Sequence, residues 1–455
     1  MAANLGERLL ANVHQEGLDE ILFELANSYP DHSGHDTNSL GVPVLDALLG
    51  VFAPKEPNLP SDALRVGQYQ SEIALGVEGS TQQQATEDEE MLLYEEVPAG
   101  HMHRLEEIHA DIEQTGNGLF SDTNSSKKQQ VPIVEISSSL SASGKSQLLY
   151  YLTAIAILPR KYGDISISGK EAAVVFLDTD DRFDAERLRT VARGIILQQQ
   201  LPTGSTAGVQ AEGVSDQDLE SLLVSSLQHV HVFRPQSSSA LLATIQTLES
   251  YLFDLSRHRS ASRPLQMIAI DSATAFFWQD RLRDEVARTE EIGRPRGDID
   301  REREKKQSFH ISDLYHLVTT ELKRLQGQFQ CAIVYTTTAS GGRSSGFGLY
   351  DQPQARIPSL RPALPAPWGS FPMLRLIVHR SAVRPFPPSM TAHAAAKDAP
   401  SRQIVVQQGK ISAWVNPWGQ DEWPRRIVEA IEANNGGSFS FYVRDSGVEI
   451  TDPDN

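Results

Sequence analysis

From Val131 onward the chain repeats one pattern: a short run that is apolar throughout, then a longer stretch with helical spacing. "PIVEI" precedes "KSQLLYYLTAIAIL", "AAVVFLDTD" precedes "FDAERLRTVARGIILQQ", and "VHVFRP" precedes "SALLATIQTLESYLFDLSR". "LQMIAIDSA" is followed, after a charged stretch, by "ISDLYHLVTTELKRLQGQF" and then "CAIVYTTT". Strands without a polar face must be covered on both sides, which predicts a mostly parallel sheet between two helical layers. Right-handed crossovers then give an α/β sandwich. Further on, "MLRLIVHRSAV", "RQIVVQQG", "KISAWVN" and "SFSFYVRDSGVEI" read as additional, antiparallel strands.

The turn after the first strand carries the chemistry. In "VEISSSLSASGKSQLLYYLTA", Gly144, Lys145 and Ser146 form the end of a phosphate-binding loop, G-x-x-x-x-G-K-[ST], with Ser139 where the first glycine belongs. The triplet follows a strand and opens a helix, where backbone amides and the helix dipole favour phosphate oxygens. Lys145 is then expected to reach the β- and γ-phosphates and Ser146 to hold Mg²⁺. A serine forced into the glycine conformation at position 139 is expected to cost about 1–2 kcal/mol unless the loop relaxes. The hydroxyls of Ser141 and Ser143 are candidates to compensate by donating to phosphate. A second signal is independent: "MIAIDSA" is an apolar strand ending in an acid, which puts Asp271 at the carboxyl edge beside the loop. Together these make the expected fold a P-loop sandwich.

Charge and composition narrow the function. The 455 residues carry a net charge of −18, which argues against strong autonomous DNA binding, because phosphate affinity needs clustered Lys and Arg. About fifteen acidic residues against about five basic ones fall between Val51 and Gln130. Three parts are therefore expected: an N-terminal helical segment over 1–52, an acidic, disordered insertion over 53–130, and the α/β core over 131–455. In the first part Leu18, Ile21, Leu22 and Leu25 share a helical face. Within the core, flexible loops are expected around 281–308, 340–370 and 385–402. No apolar run approaches the ~18 residues of a membrane span, and no signal peptide or internal repeat is found. Cys331 is the only cysteine, so disulfides and Cys-based zinc sites are excluded.

Other features have plainer readings. His101, His103 and His109 sit among acids without a second cluster to complete a metal site. Trp414, Trp418 and Trp423 suit core packing, or a partner anchor together with Arg425 and Arg426. The stretch "RLRDEVARTEEIGRPRGDIDREREKK" has nearly balanced charge and reads as a solvated loop rather than a DNA contact.

Several longer segments resemble the eukaryotic RecA-like recombinase paralogues: "LLYYLTAIAILP", "VVFLDTDDRFDAERLRTV", "SSALLATIQTLESYLFD", "IAIDSATAFFWQDR" and the closing "FYVRDSGVEI". "GERLLANV" and "LRPALPAPW" fit as well, and the nearest branch is that of X-ray repair cross-complementing protein two, in a fungal-type form. The resemblance implies a RecA-like P-loop NTPase sandwich binding ATP and Mg²⁺. By it, Lys145 and Ser146 match the Walker A pair and Asp271 the Walker B acid, with Ser146 and Asp271 the Mg²⁺ ligands. Asp180 falls where active recombinases have a glutamate that activates water, and is one methylene shorter. Thr338 stands where they have a glutamine that senses the γ-phosphate. Arg187, otherwise a solvated helix residue, matches an arginine that stacks on adenine. Arg343 and Arg356 lie where the family has its second DNA loop, in a proline-rich stretch that explains them equally well.

The function implied is homologous-recombination repair in the nucleus. The chain would join other recombinase paralogues and the recombinase itself, promoting loading and filament stability on single-stranded DNA, and meeting single-stranded or branched DNA mainly through the complex. No membrane partner is expected. Ser139, Asp180 and Thr338 all weigh against efficient hydrolysis, so a weak DNA-dependent ATPase is the most that is expected of it. Two alternatives stay open: a scaffold with an empty nucleotide site, and an independent P-loop ATPase or kinase.

Overall fold

The computed structural model describes residues 39–53, 131–163, 165–200, 216–304, 309–339, 359–381, 383 and 386–451. The expected N-terminal helix over Gly6–Leu25, the acidic insertion, its three histidines, and Arg343 and Arg356 lie outside the described residues.

A nine-stranded sheet organises the chain. Six strands, β1 (Ile133–Ser138), β4 (Ala173–Asp178), β5 (Val230–Phe233), β6 (Leu265–Asp271), β7 (Ala332–Thr338) and β8 (Leu374–Arg380), run parallel in the order β5-β4-β6-β7-β1-β8. β9 (Lys410–Val415), β10 (Phe439–Arg444) and β11 (Gly447–Thr451) continue it antiparallel beyond β8. A small separate hairpin, β2 (Lys161–Tyr162) and β3 (Ile165–Ser166), precedes β4. The expected sandwich, a mostly parallel sheet with antiparallel C-terminal strands, is the fold observed.

Both faces are covered, as the all-apolar strands require. On one face lie α1 (Pro43–Phe52), α2 (Lys145–Ile157), α3 (Ala185–Gln200), α4 (Asp216–Leu227) and α10 (Arg425–Ala433), which bury leucines and isoleucines against β1, β4 and β9. On the other lie α5 (Ser238–Phe253), α8 (Ile311–Phe329) and the segment carrying Leu364, Trp368 and Phe371. α2 is apolar nearly all round, with nine buried residues between Leu148 and Ile157, as a helix wedged between a sheet and its neighbours must be. Among the described residues no helix is long and apolar enough to cross a membrane.

Three local expectations need correction. The charged stretch after β6, expected as a flexible loop, forms α6 (Phe277–Glu291) and α7 (Arg296–Glu304). α6 is fixed by polar anchors: buried Asp280 accepts from Ser238 and Tyr315, and buried Asp284 accepts from the Ile311 amide at 3.0 Å. Its apolar residues Trp278, Leu282 and Val286 face solvent, so no apolar stripe marks the side by which it is held. The stretch over 385–402 and the supposed strand "RQIVVQQG" merge into α9 (Ala392–Gln408), capped by Thr391 Oγ1, which accepts from the Ala394 amide at 3.2 Å, and ended by left-handed Gly409. A short apolar run bounded by a proline has no period that separates helix from strand. Finally, β8 is parallel to β1 and antiparallel only to β9.

Candidate nucleotide-binding site

All six parallel strands end on one edge, where α/β sheets bind ligands. Register places Ser138 of β1 beside Thr338 of β7, and Asp178 of β4 beside Asp271 of β6. β7 thus separates the loop strand from the strand ending in Asp271, and its last residues line the space between them.

The loop from Ser139 to Gly144 closes on itself. Ser138 Oγ donates to the Leu140 carbonyl at 2.7 Å, and Ser143 Oγ donates to the same carbonyl at 2.9 Å. The buried Ser143 hydroxyl is therefore a structural tie, not the free phosphate donor expected of it. Positive φ falls at Ala142 (55°) and Gly144 (94°), not at Ser139. The strain expected at Ser139 is accordingly absent: the loop turns three residues later, and Ser139 stands exposed outside the cavity lining. Gly144 is required twice over. Its φ suits glycine, and a Cβ there would lie 2.3 Å from Ile411 Cδ1 and 3.3 Å from the Phe441 ring. No side chain caps the first turn of α2, which leaves its orphan amides for a ligand.

Lys145 Nζ donates to Ser138 Oγ at 2.7 Å. Burial pulls the ammonium pKa down, opposed by the charges of Asp271 and Asp180, so these three groups share one field. Thr336 Oγ1 donates to Asp271 Oδ1 at 2.5 Å and orients that carboxylate. Asp180 follows β4 at the exposed rim, where its backbone amide donates to the Asp271 carbonyl at 3.3 Å. Its carboxyl is raised above the usual range by desolvation and by Asp271. Thr338 is exposed, and its amide donates to Thr274 Oγ1 at 3.2 Å.

These residues surround a cavity of about 530 Å³, within the range of small-molecule sites. Ser141, Gly144, Lys145, Ser146, Asp180, Asp271 and Thr338 all line it. Beyond Lys145 it is edged by Arg182, Arg187, Arg380 and Arg444, set against the carboxylates of Asp180, Asp271 and Asp445. An excess of cations around an uncapped helix start fits a polyphosphate. A Ser146 hydroxyl and one carboxylate fit Mg²⁺, which keeps several waters and takes few protein ligands.

Sequence reasoning missed several contributors. Ser138, the seat of Lys145, was one serine among many. Asp178, the first acid of "LDTD", is buried; it accepts from the Arg182 and Phe183 amides at 3.0 and 2.9 Å and pairs with Arg234 at 3.2 Å, so it holds the loop that presents Asp180. A lone acid closing an apolar strand was the available signal. Arg187 does line the cavity, but its donors go to Gln147 and to the turn between β10 and β11, a partner with no local signature. Of the three C-terminal tryptophans, Trp414 is buried, Trp423 packs edge-on against Phe52 at 5.5 Å, and Trp418 is exposed.

No family model matches the chain. A DNA repair and recombination protein RadA of Haloquadratum walsbyi is 26% identical over 212 residues, covering 46% of this chain and 53% of that protein. A DNA repair protein XRCC2 homolog of Arabidopsis thaliana is 23% identical over 277 residues, covering 55% and 69%. The DNA repair protein XRCC2 of Mus musculus is 33% identical over 140 residues, covering 30% and 39%. Each is a DNA repair protein by name. The chain is thus related, at modest identity, to the RecA-like recombinases and their XRCC2 paralogues, and the match spans about half the length of the RadA relative.

Proposed function

We propose that this chain is a RecA-like recombinase paralogue acting in DNA repair by homologous recombination, and that it holds ATP with Mg²⁺ mainly as structure. It assembles in the nucleus with other paralogues and supports loading and filament stability of the recombinase on single-stranded DNA, which it reaches through the complex. The observation that carries this is the seating of Lys145 on Ser138, in the field of Asp271, at the carboxyl edge of a sheet related to those of RadA and XRCC2 proteins. Lys145 and the α2 amides bind phosphate, Ser146 and Asp271 hold Mg²⁺, and the metal neutralises phosphate charge when bound.

Slow turnover follows from the rim. A general base must come within hydrogen-bond reach of the water it activates, and Asp180 is short and solvent-exposed. Thr338 is too short to span to a γ-phosphate from the end of β7. The three-part organisation, with a segment over 1–52, an acidic insertion over 53–130 and the core over 131–455, belongs to the same proposal.

The test has two arms. Labelled ATP should bind the wild-type chain with Mg²⁺ and bind Lys145→Ala at least tenfold more weakly; equal affinities would remove the site. A tagged chain should retrieve other RecA-like proteins from nuclear extract. Retrieval without nucleotide binding would support the scaffold alternative, and steady phosphate release by the isolated chain the independent-ATPase one.

A further inference from the structure

The opposite edge of the sheet holds another cavity. The nucleotide site lies where the parallel strands end; this one, of about 470 Å³, lies where three of them begin. Glu171 precedes β4, His229 precedes β5 and Pro264 precedes β6, and all three line it. The Ala173 amide donates to the Pro264 carbonyl at 2.8 Å and the Val174 amide to the His229 carbonyl at 3.0 Å, so this floor is tied into the sheet. The length of β4, roughly 20 Å at about 3.3 Å per residue, separates the two cavities.

The walls are cationic. Arg259 is exposed and steadied by Gln228, whose Oε1 accepts from its Nη1 at 3.1 Å. Arg263 donates from one terminal nitrogen to the Ile157 carbonyl at 2.8 Å, at the end of α2, which fixes the guanidinium. Its other donors have no hydrogen-bond partner among the described residues. Glu171 is the carboxylate of the lining, and its charge acts on Arg263.

His229 sits behind them, 9% exposed, with one ring nitrogen engaged. Hydrogen bonds join Tyr251 Oη to His231 Nδ1 at 3.0 Å, His231 Nε2 to Ser260 Oγ at 2.9 Å, and Ser260 Oγ to His229 Nδ1 at 2.9 Å. Burial, then Arg263, brings the His229 ring down to about 4, so it is neutral and carries a single proton. His231 Nδ1 is the one acceptor for the Tyr251 hydroxyl among the described residues. With that phenol donating, every later bond runs in the same sense and leaves the His229 proton on Nε2. Nε2 has no partner among the described residues, and its side chain lines the cavity. A buried N–H facing two guanidiniums lacks an acceptor, which buried polar groups normally have.

We propose that this cavity binds a phosphate-type dianion, gripped by Arg259 and Arg263 and hydrogen-bonded by His229 Nε2–H. Converging donors of this kind call for a charged oxyanion that accepts several bonds at once. A tetrahedral oxyanion fills only part of 470 Å³, and the rest is room for the group that carries it, as in a phosphomonoester. The assignment is independent of the nucleotide site.

The test is calorimetric titration of the full chain at about pH 7.5, where a phosphomonoester is mostly dianionic. The probes are phosphoserine, inorganic phosphate and dimethyl phosphate, a diester monoanion like the nucleic-acid backbone. Phosphoserine should bind wild type and Lys145→Ala within about twofold, since the phosphate loop takes no part. Arg259→Ala, at an exposed position, should weaken it about tenfold or more with the urea midpoint unchanged, the worth of one charge-assisted bond. His229→Gln should weaken it by a similar factor, and dimethyl phosphate should bind about tenfold more weakly than phosphoserine. Phosphoserine well ahead of inorganic phosphate identifies a phosphorylated chain as the source; equal affinities identify free phosphate. Absence of binding by both, loss of binding in folded Lys145→Ala, or affinity unmoved by Arg259→Ala would overturn the site. Affinity unmoved by His229→Gln would overturn the part given to the ring, and dimethyl phosphate binding as tightly as phosphoserine the choice of a dianion.

Discussion

Gly144 offers the most direct measurement of how the phosphate loop is built. Alanine there meets two separable penalties. At φ 94° a side-chain-bearing residue is disfavoured by roughly 1–2 kcal/mol. Its Cβ would also stand 2.3 Å from Ile411 Cδ1, and overpacking of a buried contact costs about 1–3 kcal/mol. Gly144→Ala is therefore expected to lower unfolding free energy by about 2–5 kcal/mol, read from urea denaturation. Ile411→Val removes the clashing Cδ1 alone, at about 0.5–1.5 kcal/mol by itself. In that background the alanine should cost only its backbone share, so the double mutant should be more stable than additivity predicts by about 1–3 kcal/mol. Additivity within about 0.5 kcal/mol would mean that Ile411 does not press on the loop, and the link between the C-terminal strands and the phosphate site would be lost with it.

Two other perturbations address turnover and acid stability. If slow hydrolysis stems from short side chains at the rim, Asp180→Glu combined with Thr338→Gln should raise phosphate release about tenfold or more, measured alongside unchanged ATP binding; tight binding with no gain in rate would place the defect elsewhere. His229 Nδ1 and His231 Nε2 both lie 2.9 Å from Ser260 Oγ, whose single proton serves one ring while its oxygen accepts from the other. Burial first, then neighbouring cations, depresses both rings to about 4. Folded values below the unfolded ~6.5 mean that both rings stay neutral in the fold. Their contribution is therefore whole above pH 6.5 and declines as pH falls towards 4, by about 2 kcal/mol per ring at pH 5. Urea midpoints at pH 7 and pH 5 should differ less in His231→Gln than in wild type, and an identical difference would exclude the cluster as the acid-sensitive element.

What the sequence disclosed follows from how far each signal reaches along the chain. β1, β4, β6 and β7 were legible because a strand buried on both faces must be apolar at every position. The Gly144–Ser146 triplet and Asp271 were legible because they sit at fixed offsets from such strands. α6 was not, since Asp280 and Asp284 secure it by hydrogen bonds that leave no apolar stripe on the buried side. Nor was the part of the nucleotide-cavity wall that the C-terminal strands form, because Arg187 and the β10–β11 turn meet only after the sheet has been assembled. The misjudged strain at Ser139 has a similar origin. Where a loop puts its left-handed residues depends on its closing bonds, and here Ser138 and Ser143 converge on the Leu140 carbonyl to move the turn to Ala142 and Gly144.

If the chain holds nucleotide as proposed, the placement of the departures would let binding and hydrolysis separate on one scaffold. Ser139, Asp180 and Thr338, the positions at which the resemblance to active recombinases implies a departure, are all exposed. Substitution at such sites disturbs no packing, and surface changes usually move stability by less than about 0.5 kcal/mol. The matching residues are tied in: Lys145 to Ser138, Asp271 to Thr336, and Gly144 against Ile411. Losing any of these exposes a partner or creates a clash in the wall that carries the C-terminal strands. The catalytic rim can therefore drift without consequence to the fold, while the phosphate grip cannot. Under the function proposed above, a subunit held in shape by nucleotide would need only the part of the site that is bound into its core.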